Sequence, residues 1–354
     1  MRDGYRDLLA APRLDRAGVY QSATEHWATT PDLIEKDLMV CAALDVLFGD
    51  VPEAASTLVF KGGTSLSKSH GLIQRFSEDI DLVVVRGTLG FEGKKDPMEV
   101  HEGVSRKQRE RLVDELKEEC SRYIAAEIMP RLEAAFVPLG GRVELADKDP
   151  QTIFVHYETA LDTRNQYNLP SVKIEGGARS ATLPAHSAEV SPYVASVLTD
   201  ANLSTPGVVT IDAERTFLDK LLILHGRHCH FRDRNAVYKN ANRESRHYYD
   251  LAMMAEVVGP RALARPDLLK DVIHHSKMAF NSGWMKFDEA ERGELLIMPP
   301  EGMRKAIADD FNAMQGMIFG EIPSFDEVME AIAKIDASYT ATRPLDAPVE
   351  DRVG

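Results

Sequence analysis

Apolar residues recur at helical spacing early in the chain, at Ile34, Leu38, Cys41, Leu44 and Phe48. Thr30-Pro31-Asp32 ahead of them brings a capping hydroxyl, a proline at the first helical position and an acid in the first turn. The pattern predicts a helix from Pro31 to Phe48, closed by Gly49-Asp50. The period then shortens. Residues 57–60 read as a strand, Gly62-Gly63 as a turn, Thr64 to Leu72 as a helix and Asp79 to Val85 as a second strand. Polar, glycine-bearing residues 86–102 predict a loop. From Ser105 to Phe136 a highly charged stretch carries Leu112, Leu116, Tyr123 and Ile124 in a helical pattern, with a break expected at Pro130. Three further strands are expected at 141–146, 152–158 and 170–176. In the third, Val172 and Ile174 alternate with Lys173 and Glu175. From Asp212 the pattern is helical, over 212–226, 243–258, 266–280, 301–318 and 324–336, before a loosely ordered tail holding Pro344 and Pro348.

This order predicts an α/β fold of the α+β kind. A mixed-sheet domain with N-terminal helices spans 1–211, a helical C-terminal domain spans 212–340, and a tail covers 341–354. A chain of 354 residues has room for two such units, and 44% hydrophobic residues are enough for a sizeable core. No apolar run is long enough for a membrane helix, and Met1-Arg-Asp-Gly-Tyr-Arg-Asp7 lacks the apolar core of a signal peptide. Cys41, Cys120 and Cys229 are widely spaced and odd in number, which argues against a disulfide framework and for a reducing cytoplasm. The formal charge of −14 requires any nucleic-acid surface to be local. Arg227, Arg232, Arg234, Lys239, Arg243 and Arg246, offset by Asp233 and Glu244, form the candidate; a solvated loop is the alternative.

The chemistry concentrates in two neighbouring segments, Phe60-Lys-Gly-Gly-Thr-Ser65 and Arg75-Phe-Ser-Glu-Asp-Ile-Asp81. Asp79 and Asp81 open a strand at i and i+2, so both carboxylates share one face while Ile80, Leu82 and Val84 take the other. Paired carboxylates beside a core are costly unless a cation neutralises them, and Mg²⁺ bridges carboxylates to substrate phosphates. Gly62, Gly63, Thr64 and Ser65 can hold phosphates through backbone N–H and hydroxyl groups, with Lys61, Lys68 and Arg75 as nearby positive charge. The turn lacks the lysine placement of a P-loop. His225, His228, Cys229 and His230 match no structural zinc spacing.

Lys61-Gly-Gly-Thr-Ser-Leu-Ser-Lys68 followed by Arg75-Phe-Ser-Glu-Asp-Ile-Asp-Leu82 resembles the signature of the AbiEii/AbiGii-type toxin nucleotidyltransferases, which include the MenT toxins. Ile34-Glu-Lys-Asp37, Glu214-Arg-Thr-Phe-Leu-Asp-Lys-Leu-Leu-Ile-Leu-His225 and Arg246-His-Tyr-Tyr-Asp-Leu251 resemble further segments of that family, in the same order over about residues 30–255. The resemblance implies a polymerase-beta-like nucleotidyltransferase fold. It implies Asp79 and Asp81 as catalytic ligands of Mg²⁺ or Mn²⁺, with a third carboxylate on a neighbouring strand. Glu175 is the candidate; an exposed strand residue paired with Lys173 is the alternative. It also implies that Lys220 meets the phosphates of an NTP, with snorkelling from the edge of an apolar helix face as the alternative. It implies that Asp250 orients Lys220 or the acceptor, with a structural salt-bridge network of Arg243, Arg246, His247 and Asp250 on one helix side as the alternative, and that Ser77 binds phosphate or is modified. The implied activity is transfer of nucleotides to the tRNA 3′ acceptor end, with a cognate antitoxin as partner. Transfer of a nucleotidyl or phosphoryl group to a protein hydroxyl, or a non-catalytic nucleotide-binding regulator, are the alternatives.

Overall fold

The computed structural model describes residues 1–49, 54–99, 104–162, 170–238, 243–280 and 282–342. The chain divides into two units, Met1–Asp212 and Ala213–Gly354.

The first unit begins with α1 (Asp3–Ala10) and α2 (Arg13–Trp27), which precede the long α3 (Pro31–Phe48). Pro31 sits at the start of α3 as expected, but the Thr30 hydroxyl makes no capping bond; its carbonyl accepts the first N–H groups. All but the first two residues of α3 are buried, so this helix is sheathed all round. A single turn, α4 (Ala54–Thr57), then leads into β1 (Leu58–Lys61), α5 (Gly62–Lys68) and β2 (Asp79–Val84). The predicted Thr64–Leu72 helix is therefore shorter and starts at the glycines. Residues 86–99 hold two 3₁₀ turns, Arg86–Leu89 and Gly93–Lys95, rather than plain loop; residues 100–103 lie outside the described residues.

The charged stretch does not break at Pro130. α6 (Arg106–Tyr123) passes through a π-helical turn, Ile124–Ile128, directly into α7 (Met129–Phe136). Pro130 falls just after the π turn, whose wider winding accommodates the proline inside a continuous helix. Five strands follow: β3 (Arg142–Ala146), β4 (Asp149–His156), β5 (Ser171–Glu175), β6 (Ala185–Val190) and β7 (Thr205–Ile211). The sequence pattern did not predict β6 and β7.

The seven strands form one mixed sheet in the order β3-β4-β5-β2-β1-β7-β6. β2 lies at its centre, parallel to β5 and antiparallel to β1, while β7 runs parallel to β1. On one face Ile80 pairs with Ile174, Leu82 with Phe60 and Val84 with Leu58, all buried. The opposite face carries Asp79 and Asp81 and then Val83, which packs with Val59 and Ile211. The strand thus changes from polar to apolar along a single face.

The second unit is helical: α8 (Ala213–Arg234), α9 (Ser245–Met254), α10 (Gly259–Leu263), α11 (Pro266–Ala279), α12 (Phe287–Glu291), α13 (Glu301–Met314) and α14 (Phe325–Thr342). Buried Phe217, Leu218, Leu221, Leu222 and Leu224 make the apolar face of α8. α9 starts later than its apolar spacing predicts. Asp310 accepts the backbone N–H groups of Arg243 and Ser245 at 2.7 Å each and so caps the helix start. Arg243 itself is left-handed, with φ of 73°, and lies outside the helix. Lys239 and the tail beyond Thr342 lie outside the described residues.

Candidate active site

The polar face of β2 is built by strand register. Asp79 pairs with Lys173 and Asp81 with Glu175 across β2 and β5, while Lys61 pairs with Asp81 across β1 and β2. Partners in register point to the same side of a sheet. Lys61, Asp79, Asp81, Lys173 and Glu175 therefore share one face. Burial raises the Asp79 carboxyl above its ordinary value, and the negative charge of Glu78, Glu175 and Asp81 adds to the rise against the opposing Lys173. Such a crowded, half-buried pair of hard oxygen donors fits a divalent cation. Lys173 Nζ is ion-paired with Glu175 Oε1. Among the described residues no three carboxylates, imidazoles or thiols already form a metal cage.

The glycine turn approaches this face closely. Gly62 has φ of +81°, and a Cβ there would overlap the Asp81 carboxylate. A Cβ on Gly63 would come within 2.6 Å of Arg75 Nη2 and 3.0 Å of Ser77 Oγ. Gly62 is thus demanded by its backbone conformation and by Asp81, whereas at Gly63 the nearest obstacle is the tip of a flexible side chain. Thr64 ties the turn to β2, its hydroxyl donating to the Asp79 carbonyl and, at 3.3 Å, to the Ser77 carbonyl. Ser65 Oγ donates to the Gly62 carbonyl at 2.9 Å. The structure brings Lys61, Gly62, Gly63, Thr64, Ser65, Ser77, Asp79, Asp81 and Glu175 together in the first unit.

Of the charges in Ile34-Glu-Lys-Asp37, Lys36 and Asp37 brace segments of this site and Glu35 holds the segment after β4, roles the sequence did not disclose. Glu35 accepts the Ala160 N–H at 2.7 Å and the Thr159 hydroxyl at 2.5 Å. Lys36 pairs with Glu78, immediately before Asp79. Asp37 takes Lys68 Nζ on one oxygen at 2.7 Å and the Tyr193 N–H on the other at 2.6 Å. Burial alone would lower the Lys68 ammonium, but Asp37, with Cys41 and Tyr193 nearby, outweighs it and holds the pKa above its ordinary value. Lys68 is thereby committed to Asp37. The available signal was Glu35, Lys36, Asp37 and Asp45 set among the apolar residues of the helix beyond its first turn, since buried charges need partners.

In the second unit Lys220 Nζ pairs with Asp250 Oδ2 at 2.8 Å, both side chains buried. Arg246 and His247 share α9 with Asp250, whereas Arg243 does not. Two residues of the candidate basic stretch are neutralised: Arg227 pairs with Glu244 at 2.8 Å, and Arg232 with Glu289 at 2.8 Å and Asp233 at 3.0 Å. Arg227 also lies 3.9 Å from the Tyr238 ring centre. His225 accepts the Leu296 N–H on Nδ1 at 3.1 Å and faces the Lys286 carbonyl through Nε2 at 3.2 Å, so both ring nitrogens serve the backbone. The three cysteines are buried, and burial holds each thiol above its ordinary value, away from nucleophilic use.

A protein-family model described as nucleotidyl transferase AbiEii toxin, type IV TA system, matches residues 45–331. The chain belongs to this family. It is a nucleotidyltransferase toxin of the type IV toxin–antitoxin kind, and the family implies an NTP substrate and an antitoxin partner. Among solved structures it is similar to MenT4, a nucleotidyltransferase toxin from Mycobacterium tuberculosis H37Rv, at 15% identity and a TM-score of 0.49, over 92% of this chain and 89% of that one. A comparison with curated proteins gave no match. For this AbiEii chain no helix among the described residues is long and apolar enough to cross a membrane.

Proposed function

We propose that this AbiEii toxin is a divalent-cation-dependent enzyme that transfers nucleotides from an NTP to the 3′ acceptor end of tRNA in the cytoplasm, and so stops translation. The observation that carries the reading is the approach of the Gly62 backbone to the Asp81 carboxylate on the face that also presents Asp79. A phosphate chain held by the turn would lie beside the two acids. The acceptor hydroxyl oxygen bonds to the α-phosphorus while the bond to pyrophosphate breaks. A Mg²⁺ or Mn²⁺ ion held there would offset the charge of the attacking and leaving oxygens.

Asp79 and Asp81 hold the cation in this reading, and Glu175 is the third carboxylate within reach by register. Lys61, Gly62, Gly63, Thr64, Ser65 and Ser77 bind the triphosphate. Lys220 is the phosphate-binding group of the second unit, and Asp250 fixes its position. The net charge of −14 and the paired arginines keep a protein hydroxyl in view as a second acceptor. The test incubates purified protein with Mg²⁺ and each labelled NTP, with total tRNA or with cell protein, beside an Asp81→Asn control. Label on tRNA only with the intact site supports the proposal. Label on protein alone overturns the tRNA acceptor, and label on neither overturns the transferase reading of the site.

A further inference from the structure

The aspartate pair stands among four carboxylates, because Glu78 precedes it in sequence and Glu175 lies opposite Asp81. Each glutamate has its own lysine, and the two pairs differ in kind. Lys36 and Glu78 are largely buried, with side-chain exposures of 6% and 18%, and Lys36 is anchored in the sheathed helix α3. Lys173 and Glu175 are 34% and 41% exposed and sit two residues apart on one strand. The first pair is fixed. The second is held by a flexible four-carbon stem facing solvent, and an ion pair this exposed adds little to stability.

Resting on the reading of Asp79 and Asp81 as cation ligands, we propose that Lys173 is a positioning residue that occupies the Glu175 carboxylate until a divalent cation beside the aspartate pair displaces it. Register supports this directly. Lys173 lies opposite Asp79, and Glu175 opposite Asp81, so a short swing of either side chain exchanges one partner for the other. In the structure Glu175 Oε1 is committed to Lys173 Nζ, which stands in for the positive charge the cation would supply. The cation and the ammonium then compete for one carboxylate. Cation entry frees Lys173 beside Asp79, on the face against which the glycine turn is packed. Glu78 takes no part in this exchange, since it is held by the buried Lys36.

The experiment is calorimetric titration of the full chain with Mn²⁺ alone, without NTP, for the wild type, Lys173→Met, Lys173→Arg, Glu175→Gln and the Lys173→Met/Glu175→Gln double variant. Thermal unfolding checks that each is folded. Lys173→Met should bind Mn²⁺ about two- to fivefold more tightly, the factor equivalent to losing a partly exposed ion pair. Lys173→Arg should restore wild-type affinity, and the gain should vanish in the Glu175→Gln background. The same gain without Glu175 would mean a general field effect and would overturn the proposal. So would an unchanged affinity in Lys173→Met. Asp81→Asn is titrated alongside: undiminished Mn²⁺ binding there overturns the aspartate site itself, and the Lys173 role with it.

Discussion

Replacing Lys68 by methionine separates two roles for a lysine that the sequence places beside the phosphate turn. Its ammonium lies 2.7 Å from Asp37, the two side chains 5% and 2% exposed, and 3.7 Å from the Tyr193 ring centre. Lys68→Met keeps the volume of the stem but leaves Asp37 buried without its cation, where burial already pushes the carboxyl above its ordinary value and the Tyr193 N–H remains as a partner. Breaking a buried pair from one side costs about 3–5 kcal/mol. In a unit the size of Met1–Asp212 each kcal/mol moves the midpoint by about 2–4 °C, so Tm should fall by roughly 6–20 °C. Converting the partner as well, in Asp37→Leu/Lys68→Met, removes the orphaned charge and should recover most of that loss. Urea unfolding of the two singles and the double gives the coupling energy. The double variant, once folded, should keep the wild-type KM for NTP. A Lys68→Met protein of native stability and strongly raised KM would refute the strut and make Lys68 a phosphate ligand.

Other expectations follow from the same geometry. Gly62→Ala forces a left-handed residue against Asp81, costs about 1–3 kcal/mol, and should lose most NTP transfer. Gly63→Ala meets mainly the flexible tip of Arg75 and should lose less; equal rates in a transfer assay would contradict the close approach. Asp79→Asn should abolish transfer yet leave the cation-free protein at least as stable at neutral pH. The folded Asp79 pKa is raised, so its ionisation costs stability as pH rises through the carboxylate range, and a Tm loss at pH 7 would sink the argument. His225 and His228 are held below their ordinary value, chiefly by burial. The unfolded chain then binds protons more tightly, and stability should fall as pH drops below about 6.5. A flat Tm between pH 8 and pH 5 would be the contrary result.

What the sequence disclosed of this site was local in origin. The Asp79–Asp81 pair, the glycine turn and the Lys173–Glu175 alternation are each legible within a few residues, because the strand period assigns faces without reference to any partner. β7 shows the opposite case. It opens on Thr205-Pro-Gly, two of them poor strand formers, and the strand becomes visible only through Phe60 opposite Thr210 and Val208 opposite Ala188. Pairing over such separations leaves no local trace. The start of α9 failed for the same reason: Asp310, distant in sequence, decides where the helix begins.

The struts in α3 lie between these extremes and show why site residues can be missed while their motif is noticed. Ile34-Glu-Lys-Asp37 was conspicuous as a pattern, yet none of its charges touches the proposed chemistry. Their partners are Ala160, Glu78 and Lys68, one on each of three separate segments of the first unit. A buried helix that carries charge must be paying its desolvation against something distant, and here each partner flanks a functional segment. Glu78 precedes the aspartate pair, Lys68 ends the helix of the glycine turn, and Ala160 follows the strand beside β5. Uncompensated charges in an apolar helix can therefore be read as pointers to a site assembled elsewhere, before any of its partners is known.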